Sequence, residues 1–448
     1  MMSLAEAAAA IQGRFSGADA AFEGVSTDSR TMARGELFVA IRGERFDGHG
    51  FLAAAKERGA AGALVDERYS GPAPLPLLVA EDTRKGLGRL GRHWRLRFAP
   101  ALVAIAGSNG KTTTKEMLAA ILRSHAGEGG ALATRGNLNT DIGVPLTLLQ
   151  MRASHRYCAI ELGMNHPGEI AELAGIARPT VALVNNAQRE HQEFMHSIEA
   201  VAAENASVFE ALPESGVAVL NAEDAMTPVF RARAGGRRKI EFGLAQGDVT
   251  GRFTRQGLES EIVVRTPAGE ARATLAIPGA HNVMNALAAA ACAHAAGIPP
   301  AAIGSGLSAF RPYAGRLQVK KAASGATLID DTYNANPDSV RAAIDVLAAA
   351  PGPTVLVLGD MGEVGEQGPE FHAEVGRYAR EKGIGKVLSF GDSSRETSKA
   401  AGGEHLASLE EIEARLKGAK TILVKGSRFM KMERAVELLT GDKKGEAH

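Results

Sequence analysis

The apolar run Leu102, Val103, Ala104 and Ile105 leads through Ala106 into Gly107-Ser108-Asn109-Gly110-Lys111-Thr112, and a helical pattern follows. A buried strand that turns through glycines into a helix N-terminus aims successive backbone N–H groups at phosphate oxygens. Lys111 is expected to neutralise the β- and γ-phosphates, and the Thr112 hydroxyl to hold Mg²⁺. The longer form of this loop has a glycine where Ile105 stands, so the short G-x-x-G-K-T form is present. The motif predicts ATP binding within an α/β fold.

Similar strands are expected at 157–162, 181–184 and 217–220, with helical patterns after Lys111, Pro167 and Ser197. Strands alternating with helices predict a parallel sheet with crossovers. Residues 240–277 break the rhythm with shorter alternating segments such as 261–265, which read as antiparallel strands. An alanine-rich helix follows from His281, and residues 312–315 resemble a hinge. Beyond it, strands near Leu328, 355–358, 387–390 and 422–424 again alternate with helices. Before the first of these strands, the loop at 71–76 closes a small turn-rich section. Leu87, Leu90, Trp94 and Phe98 then mark an amphipathic connector helix with a solvated basic face. At 448 residues the chain exceeds one ordinary core. We therefore expect three α/β domains, at 1–84, 85–312 and 313–448.

Lysine plus arginine and aspartate plus glutamate both total 51, which argues against a nucleic-acid partner. The only cysteines, Cys158 and Cys292, are far apart in the sequence, disfavouring a disulfide framework or zinc site. The first residues lack the basic flank of a signal peptide. No stretch approaches the roughly 18 apolar residues of a membrane span. A cytoplasmic protein without membrane insertion is expected.

A phosphate loop alone suits ligases, switches and transporters. Glu161 closes a predicted buried strand, where α/β folds place ligand contacts, although a glutamate there equally suits a cap for the following helix. His191, after the strand ending near Asn185 and Asn186, could reach the same crevice or be structural. Together they would suit a second metal and an anionic substrate.

These segments together resemble the Mur ligases. The first section has Thr27-Asp28-Ser29-Arg30, Gly35-Glu36-Leu37-Phe38 and Phe46-Asp47-Gly48-His49. The centre adds Thr113 to the phosphate loop, with Asn137-Leu138-Asn139-Thr140, Glu161-Leu162-Gly163-Met164-Asn165 and Gly279-Ala280-His281-Asn282. The third section has Asp330-Asp331-Thr332-Tyr333-Asn334-Ala335-Asn336-Pro337, Leu358-Gly359-Asp360-Met361 and Lys425-Gly426-Ser427-Arg428. Within the family, the Asp330 segment is similar to that of the member adding D-alanyl-D-alanine to a UDP-N-acetylmuramoyl-tripeptide. Read without the resemblance, Asn334 to Pro337 is a helix-starting turn.

The resemblance implies ATP and Mg²⁺ as cofactors. Lys111, Glu161, His191 and Arg316 would be catalytic, and Thr112, Glu161 and His191 would hold metal. Residues 107–113, Asn282, Arg316 and Asp331 would bind nucleotide, with Asn282 near adenine and Asp331 near ribose. Ser29, Arg30, Asp47, Gly48 and His49 would meet the UDP-sugar. Tyr333, Asn334 and Asn336 would meet the dipeptide, with 425–428 nearby. A monomer is expected. The family's carbamylated lysine is missing, because Asn205 stands in its place and no lysine lies between Lys115 and Lys239. Glu204, or Asn205 with ordered water, is then a candidate to position the second Mg²⁺; a solvated helix face is the alternative. Competing functions are another Mur-type or folylpolyglutamate-type ligase, and a non-catalytic nucleotide-binding regulator.

Overall fold

In the computed structural model, which describes residues 1–43, 46–190 and 192–441, the chain builds three larger sheets in sequence order. The central sheet runs, from one edge, through Ala131–Ala133, Tyr157–Glu161, Ala101–Ala106, Val181–Val184, Val217–Asn221 and Arg238–Gly243. These strands are parallel, with Ala104 opposite Ile160 on one side and Ala182 on the other. Their middle members are apolar throughout because crossover helices cover both faces. The sheet then continues as a meander, Val249–Gln256, Glu259–Thr266 and Gly269–Leu275, whose last two pairings are antiparallel. Burial alternates along Glu259–Thr266, and the meander packs on the alanine-rich helix Ala280–Ala295.

The third sheet orders Gln318–Lys321, Thr327–Asp331, Thr421–Lys425, Thr354–Gly359, Lys386–Phe390 and Glu404–His405; only its first pairing is antiparallel. The first section has Arg14–Ser16, Leu77–Ala80, Gly62–Asp66, Leu37–Val39 and Val25–Ser26, again parallel beyond the first pair.

The connector helix is Thr83–Arg95, started by Asp82, whose carboxylate accepts from the Arg84 and Lys85 N–H groups. Leu87, Leu90 and Trp94 are buried as expected. Its basic residues are not uniformly solvated. Arg95 is buried and donates to the carbonyls of Ala177, Phe98 and Arg178, and Arg84 pairs with Asp141. Apolar cores cross the section boundaries. One joins Leu4 and Leu87 to Leu102 and Val184, and another joins Ile277 and Val283 to Leu317, Ile329 and Val340.

Candidate active site

Strand Ala101–Ala106 lies between Tyr157–Glu161 and Val181–Val184, so the loops after Ala106, Glu161 and Val184 meet in one crevice. The helix Lys111–Ala126 starts there without a side-chain cap, leaving its first N–H groups directed into the crevice. Gly110 has φ +79°, and a Cβ on it would overlap Asn285 Oδ1, so only glycine fits.

The loop is held by amides. Asn109 N–H donates to Asn186 Oδ1 at 2.8 Å, while Asn185 and Asn186 donate to the Asn109 carbonyl at 2.8 and 3.0 Å. Asn185 also donates to Asn285, which donates to Asn282. Gln188 N–H donates to Ser108 Oγ at 2.9 Å. The Lys111 ammonium donates to the Gly107 and Ser108 carbonyls and lies 3.4 Å from Glu190 Oε2.

Thr112 is the node of the cleft. Its hydroxyl donates to Glu161 Oε1 at 3.1 Å and accepts from Arg316 Nη2 at 3.2 Å. Asn139 Nδ2 donates to the same Glu161 oxygen at 3.0 Å. The other Glu161 oxygen and Arg316 Nε are buried without hydrogen-bond partners among the described residues. An acceptor and a donor left over on two side chains that share one hydroxyl suit a bound cation and anion. The Arg316 guanidinium also lies 4.0 Å from the Tyr333 ring centroid.

The third section closes the cleft, which encloses about 1050 Å³. Arg189 reaches across to it, donating to both Asp338 oxygens and both Glu374 oxygens. The Arg189 backbone N–H also donates to Asp338 Oδ2 at 2.9 Å. Hydrogen bonding to Arg189 raises the guanidinium pKa and holds the Glu374 carboxyl below its usual range. Asn109 and Asn336 exchange amide hydrogen bonds at 3.3 and 3.0 Å across the same seam.

Ser108, Asn109, Gly110, Lys111, Thr112, Glu161, Arg316, Tyr333, Asn334 and Asn336 all border this cleft. Gly107, Thr113, Asn282 and Asp331 are not among its lining residues. The Asn282 amide is engaged with the Pro278 carbonyl and Asn285. Asp331 accepts from Lys425 Nζ at 2.6 Å and from Leu317 N–H at 3.2 Å. His191 lies outside the described residues. The two Glu204 oxygens accept from the Gly168 and Ile170 N–H groups at 2.9 Å each. This carboxylate caps another helix and does not border the cleft.

A second hollow, of about 500 Å³, lies in the first section beside Arg42, Asp47, His49, Arg68 and Tyr69. His49 Nε2 accepts from Asp66 N–H at 3.1 Å, so its Nδ1 carries the proton donated to Asp47 at 2.6 Å. His49 stacks on Tyr69. Gly48 packs against the backbone of Ile41. Ser29 and Arg30 do not border this hollow; Arg30 is bidentate to Asp28, whose carboxyl it pushes down to about 2.

Sequence reading missed Arg189, Asp338 and Glu374, as well as Gln188 and Glu190. The available signal was a polar run, Asn185, Asn186, Gln188, Arg189 and Glu190, following an apolar strand at the ligand-binding edge of a parallel sheet.

Comparison with known proteins covers all three sections. Residues 21–93 match the Mur ligase family catalytic domain, 105–293 the Mur ligase middle domain, and 315–428 the Mur ligase glutamate ligase domain. The chain is 42% identical to the UDP-N-acetylmuramoyl-tripeptide–D-alanyl-D-alanine ligase of Escherichia coli strain K12, covering 96% of each chain. It is 39% identical to that of Haemophilus influenzae, covering 92% of each. A crystal structure of MurF from Acinetobacter baumannii superposes with a TM-score of 0.90 at 34% identity, covering 98% of each chain. MurF from Thermotoga maritima, in complex with ADP, gives 0.82 at 26% identity over 94% of this chain and 97% of that one. The chain belongs to the Mur ligase family.

Proposed function

We propose that this chain is the ATP-dependent ligase that joins D-alanyl-D-alanine to UDP-N-acetylmuramoyl-tripeptide in peptidoglycan synthesis. The observation that carries the reading is near-full-length identity, 42% over 96% of both chains, to a ligase named for that reaction. Folylpolyglutamate synthases share the fold at much lower identity, 15% for the Mycobacterium tuberculosis enzyme.

In this reading residues 1–84 hold the UDP-sugar around Asp47 and His49, 85–312 hold ATP, and 313–448 present the dipeptide beside Tyr333, Asn334 and Asn336. The tripeptide carboxylate attacks the γ-phosphorus of ATP, forming an acyl phosphate as ADP leaves. The dipeptide amine then attacks the acyl carbon, phosphate departs, and the amine proton is lost as the amide forms. Attacking and transferred groups are both anionic, so Lys111 and Arg316 offset their repulsion. Bringing three substrates into one closed cleft supplies proximity and excludes water.

Thr112 and Glu161 fit Mg²⁺, since the unpartnered Glu161 oxygen lies beside the Thr112 hydroxyl in a phosphate-binding crevice. No cluster of three His, Cys, Asp or Glu side chains forms among the described residues, which suits an ion taking its remaining ligands from phosphates and water. When bound, the ion would neutralise charge developing on the phosphates. No helix among the described residues is long and apolar enough to cross a membrane. A cytoplasmic monomer completes the proposal.

Release of ADP and phosphate, measured with each substrate alone and with the pair, tests it. Release is expected only with the UDP-tripeptide and D-Ala-D-Ala together, with mass spectrometry detecting the UDP-pentapeptide. Activity with a different amine in place of the dipeptide, or nucleotide binding without release under any combination, would overturn it.

A further inference from the structure

The helix Ile198–Ala206 ends beside the cleft without bordering it, yet its last turn reaches two parts of the site. Asn205 is 1% exposed, and its Oδ1 accepts from Gly107 N–H at 2.7 Å. Its Nδ2 donates to the Val201 carbonyl of the same helix at 3.1 Å. The donor end is thus anchored at home, so the oxygen faces the phosphate loop. Gly107, at φ +132°, is packed against the Asn185 and Asn186 backbone, and Asn205 satisfies its N–H.

Glu204 points elsewhere, as adjacent helical positions must. It accepts from the N–H groups of Gly168 and Ile170 at the start of helix Glu169–Ala177. That helix has Gly168 at its N-cap and no cap from its own side chains, so Glu204 supplies a negative acceptor from outside. The segment leading into it begins at Glu161 and includes the cleft-lining Gly163, Met164, Asn165 and His166.

We propose that Glu204 and Asn205 are positioning residues forming a bracket between the two loops that meet at Thr112. Asn205 sets the entry of the phosphate loop, Glu204 sets the loop that follows Glu161, and one rigid helical turn fixes their spacing. Neither touches a reacting atom. The assignment of a consequence for ATP rests on the ligase reading above, whereas the bracket itself does not.

Hydrogen exchange of the full-length chain, followed by mass spectrometry, separates the two arms. Asn205→Ala should speed exchange of residues 105–112 by about tenfold or more and leave 163–172 at the parent rate. Glu204→Ala should do the reverse. Asn205→Asp keeps the acceptor and should restore slow exchange at 105–112; Asn205→Ser, too short to reach Gly107, replaces alanine if that variant does not fold. In turnover, Asn205→Ala should raise KM for ATP roughly tenfold with KM for the dipeptide within about twofold. Equal response of both segments to either change, response of neither, or an equal rise of all KM values overturns the bracket. Should the exchange contrast appear in a chain that turns over no substrate pair, the ligase reading fails and the bracket stands.

Discussion

The two walls of the cleft are held in chemically different ways. The phosphate-loop wall is tied by neutral amides, a chain running from Asn109 through Asn185 and Asn285 to Asn282. The third-section wall is clamped by charge, with Arg189 placed between Asp338 and Glu374 and with Arg341 also on Glu374. Hydrogen-bonded amides, of which Asn185, Asn282 and Asn285 are buried, are costly to break, which suits a loop that must keep its shape. Partly exposed charges remain well solvated when separated, which suits a contact that must open to admit substrates. The difference assigns permanent geometry to one wall and reversible docking to the other.

The sharpest way to break that contrast is within the permanent wall. Among the described residues, Lys111 bonds only its own loop carbonyls and Glu190. Lys111→Ala should reduce kcat by on the order of 10²–10³ while leaving the unfolding midpoint near that of the parent. Turnover above about a tenth of the parent would mean that backbone N–H groups suffice, and that Lys111 belongs with the structural amides.

The charged wall should give a smaller, more tunable effect. Arg189→Ala removes charge-assisted hydrogen bonds, so docking should weaken by roughly 1.5–3 kcal/mol, about tenfold to a hundredfold in kcat/KM. Solution scattering should show a more extended chain in the variant. Glu374 adds a pH signature. Its docked pKa lies below the ordinary 4.5, chiefly through its hydrogen bonds to Arg189. The contact's contribution is therefore present above 4.5 and lost as pH falls through the lowered value. An acid-side opening by scattering should occur in the parent and be absent from Arg189→Ala; identical profiles would remove the charged wall from docking.

The same contrast explains what could be read from sequence. The phosphate loop is contiguous, and glycines, lysine and threonine at fixed spacing carry their geometry with them. Glu161 was legible because the end of a buried strand is a defined place in a parallel sheet. Arg189, Asp338 and Glu374 are ordinary charged residues, separated by 149 and 185 positions, and only docking gives them a common meaning. The contacts of Glu204 are not legible in the sequence for a related reason. The helix it belongs to was correctly expected, but its partner is a backbone terminus with no side-chain signature.

The smallest expected effect comes from a place where the two walls exchange neutral hydrogen bonds, Asn109 and Asn336. Asn336 also caps helix Pro337–Ala348, accepting from Ser339 N–H at 2.8 Å in a capping box. Alanine there would remove cap and seam together and cost about 1 kcal/mol of stability through the cap alone. Aspartate separates the two, since it caps as well as asparagine but cannot donate to Asn109 Oδ1. Asn336→Asp should keep the unfolding midpoint and raise KM for the dipeptide by roughly two- to tenfold, the worth of one neutral hydrogen bond. A loss as large as that of Arg189→Ala would show that the amide pair, not the charged clamp, dominates docking, and would reverse the assignment of the two walls.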